Sequence, residues 1–169
     1  MGYYTREGFK KLRNSLDELR IDFEKNIRNL GAVERENNLS ESTEFIQERF
    51  KVTYTYNAER AKIIENLNNA VIIEDTEEFK NWNEQTVSRK CEVTIDYEGT
   101  QIKYKILGEN EADIDNDILS CNAPLVISML GHKVGEFIDF NGSTIYIESV
   151  KSITDNIGKK LLLSSEDNI

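Results

Sequence analysis

The sequence predicts an α+β protein: an N-terminal antiparallel coiled-coil hairpin, then a small antiparallel β domain with one short helix. Three observations predict this. Up to about residue 70, apolar residues recur every three or four positions, the interval of a helical stripe. From Val87 onward they recur every second position, the interval of a half-buried strand. The only proline, Pro124, interrupts neither long helical run and opens a short apolar one.

The first helix is expected over residues 5 to about 31. Leu12, Leu16, Leu19, Phe23, Ile27 and Leu30 form a near-heptad seam. Lys10, Lys11, Arg13, Asp17, Glu18 and Arg20 lie between them as a solvated face. Thr5 is a suitable cap, and Glu7 places an acid at the positive end of the helix dipole. Such a helix spans roughly 40 Å, more than a small domain needs. The second helix is expected over 39 to about 70, with a seam of Phe45, Val52, Tyr56, Ile63, Leu67 and Ala70. Arg49 and Glu59 or Arg60 fill two seam positions less well, and Val52-Thr53-Tyr54-Thr55-Tyr56 has β propensity. Two long helices joined by a short polar turn should fold back on each other. The expected organisation is a hairpin over 1–73 with its tip near 34–41, and a connector over 74–86. A β domain over 87–150 follows, then a partly disordered tail over 151–169.

Within the β domain, Cys91, Val93, Ile95 and Tyr97 alternate with polar residues, Glu98-Gly99 turns, and Ile102, Tyr104 and Ile106 alternate again. Ile118–Ser120 is a short strand. Pro124 starts a helix that Gly131 ends. Phe137–Phe140 and Thr144–Ile147 flank Asn141-Gly142, a strong two-residue hairpin signal. Trp82, in the connector, is expected to pack at the domain junction.

Composition narrows the function. The net charge is −10, but residues 1–73 carry 12 basic and 12 acidic residues, while residues 74–169 carry 9 and 19. An acidic body disfavours sequence-independent grip on nucleic acid, which depends on cations displacing counterions; no direct DNA binding is expected. No apolar run is long enough to span a membrane, so no membrane partner is expected. Met1-Gly2-Tyr3-Tyr4-Thr5 lacks the features of a secretory signal. Cys91 and Cys121 read as buried thiols of a cytoplasmic protein. No zinc spacing, phosphate loop or nucleophilic triad is present, and His132, the only histidine, reads as a surface structural residue.

Several motifs resemble the bacterial GreA/GreB transcript cleavage factors. Tyr4-Thr5-Arg6-Glu7-Gly8-Phe9-Lys10-Lys11-Leu12 is similar to the family's opening. Asn38-Leu39-Ser40-Glu41-Ser42-Thr43-Glu44-Phe45 resembles its tip motif, Asp-Leu-Ser-Glu-Asn-Ala-Glu-Tyr. Ile106-Leu107-Gly108-Glu109-Asn110-Glu111-Ala112-Asp113-Ile114 resembles its β-domain signature. Ser120-Cys121-Asn122-Ala123-Pro124-Leu125 and Leu130-Gly131-His132-Lys133-Val134-Gly135-Glu136 resemble its strand–helix–turn segment.

The resemblance implies an FKBP-like β domain docked at the rim of RNA polymerase's secondary channel, with the hairpin inserted in the channel. It implies a monomer that is not itself an enzyme and acts on the polymerase active site and the nascent RNA 3′ end. No cofactor would be bound stably, but Glu41 would help hold a transient Mg²⁺ shared with polymerase and act as the tip carboxylate in backtracked-RNA hydrolysis. Asn38 stands where the family has its first tip acid, so the site would be impaired there; Glu36 is a candidate replacement. Glu44, Lys10, Lys11 and Arg13 are candidate partner contacts. Folding offers its own reading of the tip: Asn38-x-x-Glu41 fits a capping box that starts the second helix. Two alternatives stay open, a cleavage-deficient regulator that occupies the channel and a coiled-coil adaptor with another partner.

Overall fold

The fold is that of a computed structural model, described over residues 2–37 and 42–153, with backbone alone at 34–37. It comprises two compact units, Met1–Ile72 and Ile73–Ile169. The expectations for Asn38, Glu41, the Glu36 side chain and the tail from 154 onward concern residues outside the described ones, while Lys151 and Ser152, expected to begin the tail, end the last strand.

In the first unit, strand β1 (Gly2–Tyr4) leads into helix α1 (Arg6–Asn37), and helix α2 (Thr43–Asn68) leads into strand β2 (Ala70–Ile72). Thr5 caps α1 as expected: its Oγ1 accepts a hydrogen bond from the Gly8 N–H at 3.0 Å. At about 1.5 Å per residue, α1 is about 48 Å long. It continues past the expected end near 31, because Ala32 to Glu36 holds no proline and Gly31 has open space around its Cα.

The second helix starts later than expected. Its N-cap is Ser42, in extended backbone (φ −69°, ψ 124°), so the expected start near 38–39 is not the one used. It also ends earlier, at Asn68. Ala70, expected on the helical seam, instead pairs with Gly2 in a parallel two-stranded sheet that the periodicity does not announce.

The seam residues of α1, from Leu12 to Leu30, are all half-buried; none is fully enclosed. On α2, Phe45 is buried and Val52, Tyr56, Ile63 and Leu67 are half-buried. The Val52–Tyr56 run is helical despite its β propensity, since Tyr56 stacks on Phe23 at 4.1 Å between ring centroids. Exposed i,i+4 pairs such as Lys11–Glu7 and Arg20–Glu24 add about 0.3–0.5 kcal/mol each. Such a thin core makes one aromatic contact matter. Phe23→Ala is expected to destabilise the hairpin by about 2 kcal/mol, below the full-burial value because the site is half open. Thermal unfolding followed by helical circular dichroism tests this; an unchanged midpoint would show that the stacking is ornamental.

In the second unit, a 3₁₀ turn (Ile73–Asp75) and helix α3 (Glu77–Lys80) precede the sheet. Thr76 caps α3 through a hydrogen bond from the Phe79 N–H. Trp82 stacks on Phe79 and donates its indole N–H to the Thr86 carbonyl at 2.6 Å. The strands are β3 (Cys91–Tyr97), β4 (Thr100–Leu107), β5 (Ile118–Ser120), β6 (Phe137–Phe140) and β7 (Ser143–Ser152), in the order β5-β4-β3-β7-β6. Helix α4 (Pro124–Met129) has Pro124 in its first turn, as expected.

The expected wholly antiparallel sheet is corrected to a mixed one, because β5 pairs parallel to β4. The segment 108–117 carries the chain back alongside β4, and the Lys105 N–H bonds the Asp117 carbonyl at 2.9 Å. The other pairings are antiparallel, with a bulge between Thr94 and Ile95. Both expected tight turns appear, with Glu98-Gly99 at φ 52° and 81° and Asn141-Gly142 at φ 53° and 84°. Val93, Ile95, Ile106, Ile145 and Ile147 line one face of the sheet; with Val126 and Met129 of α4 they form the buried core. Each such side chain contributes about 1.5–3 kcal/mol by leaving water.

Candidate functional site

Helix α1 ends at Asn37 and helix α2 begins at Thr43, after its N-cap Ser42. Glu44 lies in the first turn of α2, exposed, where an acid suits the helix dipole. Lys10, Lys11 and Arg13 are exposed in the first two turns of α1, and Lys11 pairs with Glu7 at 3.3 Å. Helical rise separates Arg13 from Asn37 by about 36 Å. Glu44 and the three basic residues therefore cannot belong to one small site.

A feature absent from the sequence expectations lies along α2. Ile46, Phe50 and Tyr54 are 56%, 71% and 67% exposed, at i, i+4 and i+8. The Phe50 and Tyr54 rings stack at 6.2 Å. Arg49, Arg60 and Lys62 are exposed on the same helix and form no ion pair among the described residues. The signal was available as a second apolar stripe beside the Phe45–Val52–Tyr56 seam. On the inner side, Asp22, Glu48 and Glu59 border a groove of ≈ 300 Å³ between the helices. Lys51 and the stacked Phe23 and Tyr56 line the same groove, so acids, one base and aromatic rings share the inner side.

In the second unit, the two long motifs are explained by folding. The Gly108 N–H donates to Glu111 Oε2 at 3.0 Å, the Asn122 amide donates to Glu109, and the Cys121 N–H donates to the Leu107 carbonyl at 2.8 Å. These bonds fasten the loop that returns the chain from β4 to β5. Gly131 and Gly135 adopt φ of 81° and 91°, where a side chain is strained. Their N–H groups bond the Val87 and Ile147 carbonyls, tying the turn before β6 to the segment before β3 and to β7.

The thiols are poor nucleophiles. Burial pushes both Cys91 and Cys121 up to about 11, so neither forms much thiolate near neutrality. Among the described residues, no group of three or more His, Cys, Asp or Glu side chains is placed to hold a metal ion.

His132 Nδ1 lies 2.9 Å from Glu136 Oε2, which also accepts the Lys133 N–H at 3.0 Å. The Lys133 N–H, and then His132, hold the Glu136 carboxyl below its usual range. A lowered folded value means the contribution is complete above the ordinary carboxylate range and lost as pH falls through the folded value. A carboxyl ¹³C titration is expected to place Glu136 below the ordinary glutamate range. His132→Ala is expected to raise it only part of the way, because the backbone bond is the larger cause; a complete return to the usual range would contradict that ranking.

Comparison with known proteins complements this geometry. The family described as "Transcription elongation factor, GreA/GreB, C-term" matches residues 83–155. Transcription elongation factor GreA of Thermotoga neapolitana is 36% identical over 136 residues, covering 79% of this chain and 84% of that protein. GreA of Christiangramia forsetii is 26% identical over 137 residues, covering 80% and 85%. Among solved structures, GreA factor homolog 1 (Gfh1) of Thermus thermophilus aligns at 17% identity and a TM-score of 0.36, covering 89% of this chain and 98% of that one. The extent and identity of the match to the Thermotoga protein establish that the chain belongs to the GreA/GreB family of transcription elongation factors.

Proposed function

We propose that this chain binds RNA polymerase and works through its secondary channel, with the hairpin reaching inward and the β unit, of FKBP-like kind, held at the rim. The observation that carries the reading is family membership joined to an arm about 48 Å long. A thin arm can deliver a side chain to a buried active site that a globular unit cannot enter. The chain then acts as a cytoplasmic monomer and stimulates or modulates polymerase without being an enzyme alone.

In this reading Glu41 is the delivered carboxylate. Mg²⁺, shared with the polymerase active site, would polarise the scissile phosphate and lower the pKa of an attacking water. Glu41 offers the hard oxygen ligand such an ion prefers, while Asn38 offers a neutral carbonyl oxygen in place of an acid. The exposed Phe50–Tyr54 pair on α2, with Arg49 and Arg60 nearby, suits the nascent RNA: rings stack on bases and guanidinium groups meet phosphates.

The amide at 38 favours a second reading, in which the chain occupies the channel and regulates synthesis without promoting cleavage. One experiment separates the two. Stalled, backtracked polymerase complexes are incubated with the chain and with Glu41→Ala. RNA shortening lost in the variant supports cleavage. Slowed synthesis without shortening supports occupancy. Failure of the chain to bind polymerase removes both.

A further inference from the structure

We propose that the outer face of β6 and β7, centred on Phe137 and Tyr146, docks an extended, arginine-bearing segment of a partner protein. Phe137 is 68% exposed. Its ring lies 4.8 Å from that of Tyr146, its partner across the strands, tilted by 42°. On the other side of Tyr146 the register places Asp96. Carboxylate and two rings therefore succeed one another across three strands. With Glu98 and Thr144 they line an open groove of ≈ 380 Å³.

The Asp96 carboxylate is held in place, and neither it nor Glu98 is neutralised by an ion pair among the described residues. Asp96 Oδ1 accepts the Gly99 N–H at 2.8 Å, which fixes its direction. Glu98 projects from the same tight turn, at φ 52°. Lys103 on β4 is already engaged by Glu92 at 3.4 Å, and Gln101 by Glu148 at 2.8 Å. The groove thus combines aromatic faces with uncompensated negative charge, in the acidic portion of the chain. That chemistry selects a cation, and a planar one most of all: guanidinium stacks on rings and bridges carboxylates, whereas ammonium does only the second well.

The topology supplies the approach. Among the described residues, β6 is the last strand in the sheet order and pairs only with β7. An extended segment laid along that edge gains main-chain hydrogen bonds and places every second side chain on the Phe137 face. This inference does not rest on the polymerase reading, since the residues concerned belong to the β unit and the test below needs no polymerase.

The test is a titration of the full, ¹⁵N-labelled chain with the peptide Ac-Thr-Arg-Val-Arg-Thr-amide at low salt. Saturable shifts are expected in the amides of Phe137–Phe140, Gly99 and Tyr146, with a Kd on the order of 1 mM. Phe137→Ala is expected to weaken binding about 10-fold and Glu98→Gln about 3-fold; the rest of each variant's spectrum reports that it remains folded. The matching lysine peptide is expected to bind more weakly. Equal binding of a glutamate peptide would overturn the inference. So would shifts scattered over the acidic surface and indifferent to Phe137→Ala, the mark of unspecific attraction. Peptide binding without polymerase binding would leave this inference standing and remove the proposed function.

Discussion

Replacing Asn38 by aspartate is expected to raise the rate of RNA shortening in backtracked polymerase complexes by on the order of 10-fold or more, provided Glu41 is intact. The expectation rests on the proposed function and on the charge of the delivered oxygens. Mg²⁺ gives up hydration water reluctantly and is compensated best by anionic oxygen. An amide oxygen presents similar geometry with no net charge. Asn38→Asp therefore adds the attraction while changing shape very little, and it leaves Ser42, the N-cap of α2, untouched. The double variant Asn38→Asp, Glu41→Ala should return to the unstimulated rate. Asn38→Asp cleaving no faster than the unmodified chain would sink the idea that the missing charge limits the chemistry. Titrating Mg²⁺ adds a second readout: the aspartate variant should reach its full rate at a lower Mg²⁺ concentration, because its tip contributes more to holding the ion.

The sequence signals that proved readable were local. Cys91, Val93 and Ile95 alternate with polar neighbours, and all three are buried in β3. Asn141-Gly142 and Glu98-Gly99 supply the positive φ that two-residue hairpins require. Pro124 opens α4 because its missing N–H is no loss in a first helical turn. What escaped was set by distant contacts. Gly2 pairs with Ala70 across 68 positions of chain, and three-residue strands leave no periodic trace. The parallel run of β5 depends on the path of 108–117, fastened by Glu109, Glu111 and Asn122, whose pairings no spacing rule announces. The start of α2 was ambiguous for another reason: Asn38, Ser40 and Ser42 are all capable caps, and local chemistry does not rank them. Similar limits apply to the candidate sites. Motif likeness pointed to Asn38 and Glu41, which lie outside the described residues. Phe50 and Tyr54 are legible as a second apolar stripe, but the exposure of Phe137, one position in an alternating strand, shows only once its neighbours are placed.

Lys90→Ala is expected to destabilise the second unit by about 3–5 kcal/mol, the range seen when one partner of a buried ion pair is removed. Lys90 Nζ lies 3.0 Å from Glu74 Oε1, and the side chains are only 6% and 15% exposed. The pair fastens the 3₁₀ turn Ile73–Asp75 to the residue before β3. Its importance was invisible in the sequence, where Glu74 reads as one acid of a polar connector. Burial decides the magnitude: the exposed Lys11–Glu7 pair has similar separation but is screened, and is worth a few tenths of a kcal/mol. Removing the ammonium takes from the largely buried Glu74 carboxylate its ion-pair partner at 3.0 Å, where little water can replace it, so the loss exceeds the value of the attraction itself. Lys90→Met separates charge from packing, because it keeps most of the aliphatic stem. It should recover little of the loss, whereas adding Glu74→Leu to Lys90→Met should recover much of it by removing the buried carboxylate that lost this partner. Trp82, the only tryptophan, lies within this unit and stacks on Phe79, so its fluorescence reports the unit's unfolding by denaturant. A Lys90→Ala midpoint within about 0.5 kcal/mol of the unmodified chain, the range of an ordinary surface change, would mean that water reaches the pair and screens it.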